Sequence, residues 1–114
     1  MKNVKSPKWL GDISHHSAFI IDACTGRSSD DYASDEMLRL AVERSFEIIG
    51  EALNRLHRHD PDSAGRISHS SAIIGFRNIL AHGYDIVEDA QVWKVIIEDL
   101  PVLRGEVDAL ISEG

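Results

Sequence analysis

The chain has a single cysteine, Cys24, so it cannot close an intramolecular disulfide. One thiol fits a reducing cytoplasm, where it packs as a small buried hydrophobe. No apolar run approaches the length of a membrane-spanning helix, which argues against an integral helical membrane protein. Lys2, Lys5 and Lys8 lie near the start, but Gly11 and Asp12 interrupt what would have to be the apolar region of a signal peptide, and none is expected. Positive charge is scarce: 12 Lys and Arg face 19 Asp and Glu, a formal net charge of −7. Broad nucleic-acid binding needs several cations to neutralise phosphates, so this composition argues against it. RNA held in one local basic cleft, or a basic partner, remains compatible. Convincing strand patterns, internal repeats and low-complexity tracts are also missing.

What is present is helical periodicity. The 114 residues predict one domain, 1–114, with a loose leader over residues 1–6. A first helix is expected from Pro7 to Cys24, with Leu10, Ile13, Ser17, Ile20 and Cys24 on one stripe and Pro7 in a first turn that needs no N–H. Residues 25–31 read as a loop in which Gly26 stops the helix. Ser34 is the expected N-cap of a long second helix reaching about His57, with Asp35 and Glu36 opposing its dipole. Its apolar stripe is Leu38, Ala41, Val42, Ser45, Ile48, Ile49, Ala52, Leu53 and Leu56. Gly50 inside that helix costs about 1 kcal/mol relative to alanine, which close approach of another helix would offset. Arg55, His57, Arg58 and His59 complement the C-terminal dipole; a further role would be a basic lip for RNA phosphates. His57 and His59 have no third ligand in register, so no metal is expected. Residues 60–65 read as a turn, followed by a third helix from Ser68 or Ser70 to about Gly83. A fourth helix begins within Asp85–Asp89 and carries Val92, Trp93, Ile96 and Leu100; Pro101 then breaks or kinks the chain before a short fifth helix. The expected fold is all-α, an antiparallel four-helix bundle with a short fifth helix.

One stretch combines core and site residues. Ile73, Ile74, Phe76, Ile79 and Leu80 suit packing, yet Arg77, Asn78, His82 and Tyr84 are set among them. At about 100° per residue, Arg77 and Tyr84 lie on nearly one line, whereas Arg77 and His82 are roughly 140° apart. These two converge if Arg77 reaches around, if Gly83 unwinds the helix end, or if a second copy of the chain supplies one of them. Glu47 and Glu51 are four residues apart on one line of the preceding helix, so one of them can face Arg77. The plainer reading is that Arg77 pairs with Glu47 or Glu51, that His82 caps the helix and that Tyr84 packs at its end.

The run Arg77-x4-His82-x-Tyr84, with Asn78 after the arginine and Ile73-Ile74-Gly75-Phe76 before it, resembles the Arg-x4-His-x-Tyr motif of the HEPN superfamily. Within that superfamily it is similar to the HepT toxins, partners of MntA-type minimal nucleotidyltransferases. Ile48-Ile49-Gly50-Glu51-Ala52, Val92-Trp93 and Asp99-Leu100-Pro101 fall where that family has similar segments, and the likeness runs from about Leu10 to Leu110. The family usually has an aromatic just before the Ile-Ile-Gly segment, a place held here by Ser70 or Ser71.

The residue chemistry agrees with what this likeness implies. RNA carries its own nucleophile, the 2′-hydroxyl, so cleavage needs a base, an acid and positive charge on the phosphorane. Histidine supplies either proton-transfer role and arginine a planar fork for phosphate oxygens. One histidine per chain fills one role, and a symmetric homodimer fills both. The resemblance implies a toxin that is a metal-independent endoribonuclease leaving a 2′,3′-cyclic phosphate. Arg77 and His82 would be catalytic, with Asn78 orienting or contacting phosphate and Glu47, Glu51 and Gly83 in support. No cofactor is implied. It further implies that Tyr84 accepts AMP from an MntA-like nucleotidyltransferase antitoxin, silencing the toxin. The alternative is a catalytically silent helical module that binds the nucleotidyltransferase and its nucleotide.

Overall fold

Residue 6 already belongs to the first helix, α1 (Ser6–Cys24). Pro7 occupies its opening turn, and Leu10, Ile13, Ser17, Ile20 and Cys24 are all buried, as the stripe predicts. Ser6 is buried too, where the sequence suggests leader: its hydroxyl donates to Asp60 Oδ2 at 2.7 Å. The computed structural model describes residues 4–82 and 88–114, with the side chains of Ala81 and His82 outside the description. Gly26, at φ 78°, ends α1 in the left-handed conformation that a side chain would strain.

The expected loop at 25–31 contains the start of a short helix, α2 (Ser29–Ser34). Ser28 accepts from the Asp31 N–H at 3.1 Å, and the Asp31 carboxylate accepts from the Ser28 N–H at 2.9 Å. This reciprocal capping box starts α2, so Ser34 ends a helix instead of starting one. Asp35 takes over as N-cap of α3 (Glu36–His59), accepting from the Leu38 N–H at 3.0 Å. Every residue of the anticipated α3 stripe is buried except Ala41 and Ile48, which are half-buried.

A one-turn helix, α4 (Pro61–Ala64), replaces the expected turn, with Asp60 as its N-cap. Then come α5 (Ser70–His82) and α6 (Asp89–Lys94). Gly83 and Asp85–Val87, part of the expected ends of these helices, lie outside the described residues. Pro101 does not break the chain. A π-helical segment, Val95–Asp99, runs directly into α7 (Leu100–Glu113), which is longer than the short element expected. The physical reason is the missing proline N–H. The Leu100 N–H reaches back to the Val95 carbonyl, widening the turn just where a regular helix would collide with the proline ring. Pro101 then sits in the opening turn of α7.

The packing is antiparallel around α3. The start of α1 meets its end, with Trp9 stacked on His59 at 5.6 Å between ring centroids. On its other flank α5 runs back along it, with Phe46 stacked on Phe76 at 5.0 Å and His57 Nε2 2.9 Å from Ser70 Oγ. α7 packs against α1, and Ser14 donates to Asp108 at 2.6 Å. Ile13, Ile20, Val42, Ile49, Leu53, Leu56, Leu103 and Val107 fill the space between. The fold is all-α; among the described residues there is no strand, and no helix is long and apolar enough to cross a membrane.

Candidate active site

Gly50 and Arg77 define the place where α3 and α5 come closest. A methyl group built on Gly50 would lie 2.5 Å from Arg77 Cβ and 2.6 Å from its Cγ. The missing side chain is therefore the slot in which the stem of Arg77 rests, the close approach that a mid-helix glycine predicts. The guanidinium then lies along α3. One Nη donates to Glu51 Oε2 at 3.3 Å and the other to Asn78 Oδ1 at 3.3 Å. Glu51 also accepts from Arg55 Nε at 3.2 Å, so one carboxylate bridges two arginines. Arg77 Nε is buried and has no partner among the described residues.

Of the two glutamates that share a line, Glu51 faces Arg77, whereas Glu47 pairs with Arg44 at 3.3 Å. The side chains of Arg77 and Glu51 retain 29% and 45% of their exposure. At that exposure the pair adds about 0–1 kcal/mol. Its main effect is to fix where the guanidinium points.

The site opens into a groove of about 760 Å³. Its floor is one stripe of α3, formed by Arg44, Glu47, Ile48, Glu51 and Arg55; Lys8 and Asp12 of α1 form one bank and Arg77 of α5 the other. Of the expected basic lip, Arg55 alone lines the groove: His57 is turned to Ser70, and His59 stacks on Trp9. Among the described residues no cluster of His, Cys, Asp and Glu could hold a metal ion. Of the two serines at 70 and 71, Ser70 is buried and Ser71 is exposed. Lys8, Asp12 and Arg44 are groove residues that the motif does not reveal. The signal for Arg44 was its helical spacing with Glu47, Glu51 and Arg55.

His82 is the last residue of α5, and its side chain, like Gly83 and Tyr84, lies outside the description. The α5 backbone is helical through position 82.

The family model described as "Ribonuclease HepT-like" matches residues 13–110. The chain belongs to the HepT-like ribonuclease family. It is 30% identical to a "Putative RNase" of Caldanaerobacter subterraneus subsp. tengcongensis, over 96% of this chain and 98% of that protein. It is 29% identical to a "Putative RNase" of Methanocaldococcus jannaschii, over 88% of this chain and 91% of the relative. It is 30% identical to the "Probable ribonuclease HepT" of Thermococcus cleftensis, over 90% and 92% of the two chains. No solved structure gives a significant match. The HepT-like range includes Gly50, Glu51, Arg77, Asn78, His82 and Tyr84, and begins after Lys8 and Asp12.

Proposed function

We propose that this HepT-like protein is the toxin of a toxin–antitoxin pair: a metal-independent endoribonuclease whose cleft forms between two identical chains. The observation that carries this reading is how Arg77 is held. Its stem lies on Gly50 and its fork is taken by Glu51 and Asn78, so it is not reaching around α5. The helix is also unbroken as far as His82. Of the three ways to bring guanidinium and imidazole together, a second copy fits best. Met37, at 83% exposure, and Leu40, at 60%, lie beside Arg44 on α3, an apolar surface that supports a second copy packing there.

In the reaction, one His82 removes the proton from a ribose 2′-hydroxyl. The oxygen attacks the adjacent phosphorus, and Arg77 neutralises the equatorial oxygens of the phosphorane. The bond from phosphorus to the 5′-oxygen breaks, and the second His82 protonates that oxygen. The products are a 2′,3′-cyclic phosphate and a free 5′-hydroxyl. Asn78 holds the guanidinium in register. An MntA-like nucleotidyltransferase silences the toxin by placing AMP on Tyr84, setting a phosphate where Arg77 would otherwise meet RNA.

The test is labelled RNA incubated with the purified protein in EDTA. The wild type is expected to cut. Arg77→Ala and His82→Ala are each expected to lose at least about 100-fold, the range for removing a charge-stabilising or proton-transfer group. Undiminished cleavage in both variants would refute the assignment. AMP on Tyr84 without any cleavage by the unmodified protein would favour the silent binding module instead. If Arg77 were only structural, Arg77→Ala would unfold the protein; the exposure of its pair predicts a loss of at most about 1 kcal/mol from the ion pair itself.

A further inference from the structure

The groove beside Arg77 is locally positive on an acidic protein. Five cations line it, Lys5, Lys8, Arg44, Arg55 and Arg77, against three carboxylates, Asp12, Glu47 and Glu51. That leaves it net +2 in a chain of formal charge −7. Four pairs join groove cations to groove carboxylates: Lys8 to Asp12 at 2.8 Å, Arg44 to Glu47 at 3.3 Å, and Arg55 and Arg77 to Glu51 at 3.2 and 3.3 Å.

We propose that this groove is a self-screened track for the sugar–phosphate backbone of single-stranded RNA, in which Lys8 and Arg44 contact phosphates and Asp12 and Glu47 are the counter-ions that those phosphates replace. The identity of the strand rests on the ribonuclease reading above. Three features carry the rest. Side chains of Lys8 and Arg44 are 72% and 70% exposed, so their pairs with carboxylates are weak and exchangeable. The cations sit on three helices, and Arg44 to Arg55 alone spans about 16 Å along α3, more than one phosphate group needs. A chain of phosphates fits that spread, and an isolated anion does not. Arg77 lies on the bank opposite Lys8, so a strand crossing the groove brings a phosphodiester to the candidate catalytic group. The carboxylates hold the cations extended in the free protein and weaken attraction to anions in general. Phosphates compete for arginine because they accept its fork in two parallel bonds.

The test uses a short fluorescein-labelled RNA with 2′-O-methyl groups, which removes the nucleophile and reports binding without turnover. The double variant Lys8→Gln/Arg44→Gln is expected to bind several-fold more weakly and to flatten the dependence of log K on log salt by about 1.4, two phosphate contacts at about 0.7 each. Asp12→Asn/Glu47→Gln is expected to bind several-fold more tightly. Lys94→Gln/Arg104→Gln removes the same charge outside the groove and is expected to keep the wild-type slope. On unmodified RNA, the Lys8/Arg44 variant is expected to show its loss in KM.

Slopes that change equally for groove and control variants would overturn the track, as would a Lys8/Arg44 variant that binds like the wild type. If cleavage by the wild type persists in that case, the ribonuclease reading survives alone. Groove-dependent binding of methylated RNA with no cleavage of the unmodified strand supports the track and refutes the nuclease. Binding of polyglutamate but not RNA through these residues would assign the groove to an acidic protein and overturn the proposal.

Discussion

At position 50 the absence of one methyl group decides whether Arg77 can lie where it does. Alanine there would gain about 1 kcal/mol of helix propensity. It would also bring a carbon to 2.5 Å from Arg77 Cβ, an atom too close to the backbone to swing aside. Overpacking of this kind costs about 1–3 kcal/mol. Gly50→Ala is therefore expected to lower the midpoint of chemical unfolding with no change in slope, and to reduce RNA cleavage by displacing the guanidinium. A stabilised, fully active variant would show that the slot is not needed. Much of this was legible in advance, because a glycine inside a long apolar helix marks a close approach. The identity of the neighbour was not legible. Glu47 and Glu51 share a line, and only the offset between α3 and α5 selects Glu51 for Arg77.

The long helices could be read from their stripes, whereas short α2 and α4 could not, being one or two turns with no periodicity to show. Ser28 and Asp31 carry a capping-box spacing, and the α3 cap falls on Asp35, one residue after the expected Ser34. At Pro101, where the sequence predicts a break or a kink, the chain does not break: a widened π-helical turn just before the proline absorbs it. Where α2, α3 and α6 meet, Tyr32 is fully buried, packs on Trp93 at 5.9 Å between rings and leaves its hydroxyl with no partner among the described residues. Burial, and then Asp89, raise the carboxyl pKa of Glu43 here, with Arg39 opposing them. A carboxyl whose folded pKa is raised holds its proton more tightly in the folded state. Its stabilising contribution is complete below the unfolded pKa and is lost as pH rises through the folded one. Glu43→Gln is thus expected to melt at a higher temperature than the wild type at neutral pH, with the gap closing below about pH 4, where glutamate is largely protonated in both states. A gap that widens on acidification would contradict this.

Across the whole molecule, acidic composition and a basic groove coexist because the charges are sorted by helix face, which a net value conceals. The sequence argued against a broad basic surface and allowed one local cleft; the groove over α3 is such a cleft. Fold class followed from periodicity, but which helices flank α3 is a tertiary fact that no stripe encodes. The proposed reading calls for two chains because Arg77 is held against α3 while the α5 backbone stays helical to His82. The most direct test is the rate of RNA cleavage across a dilution series that crosses the transition from paired to single chains seen by sedimentation. For a cleft shared by two chains, the rate below that transition is expected to fall with the square of protein concentration. A rate that stays proportional to concentration where only single chains sediment would contradict a cleft built from two.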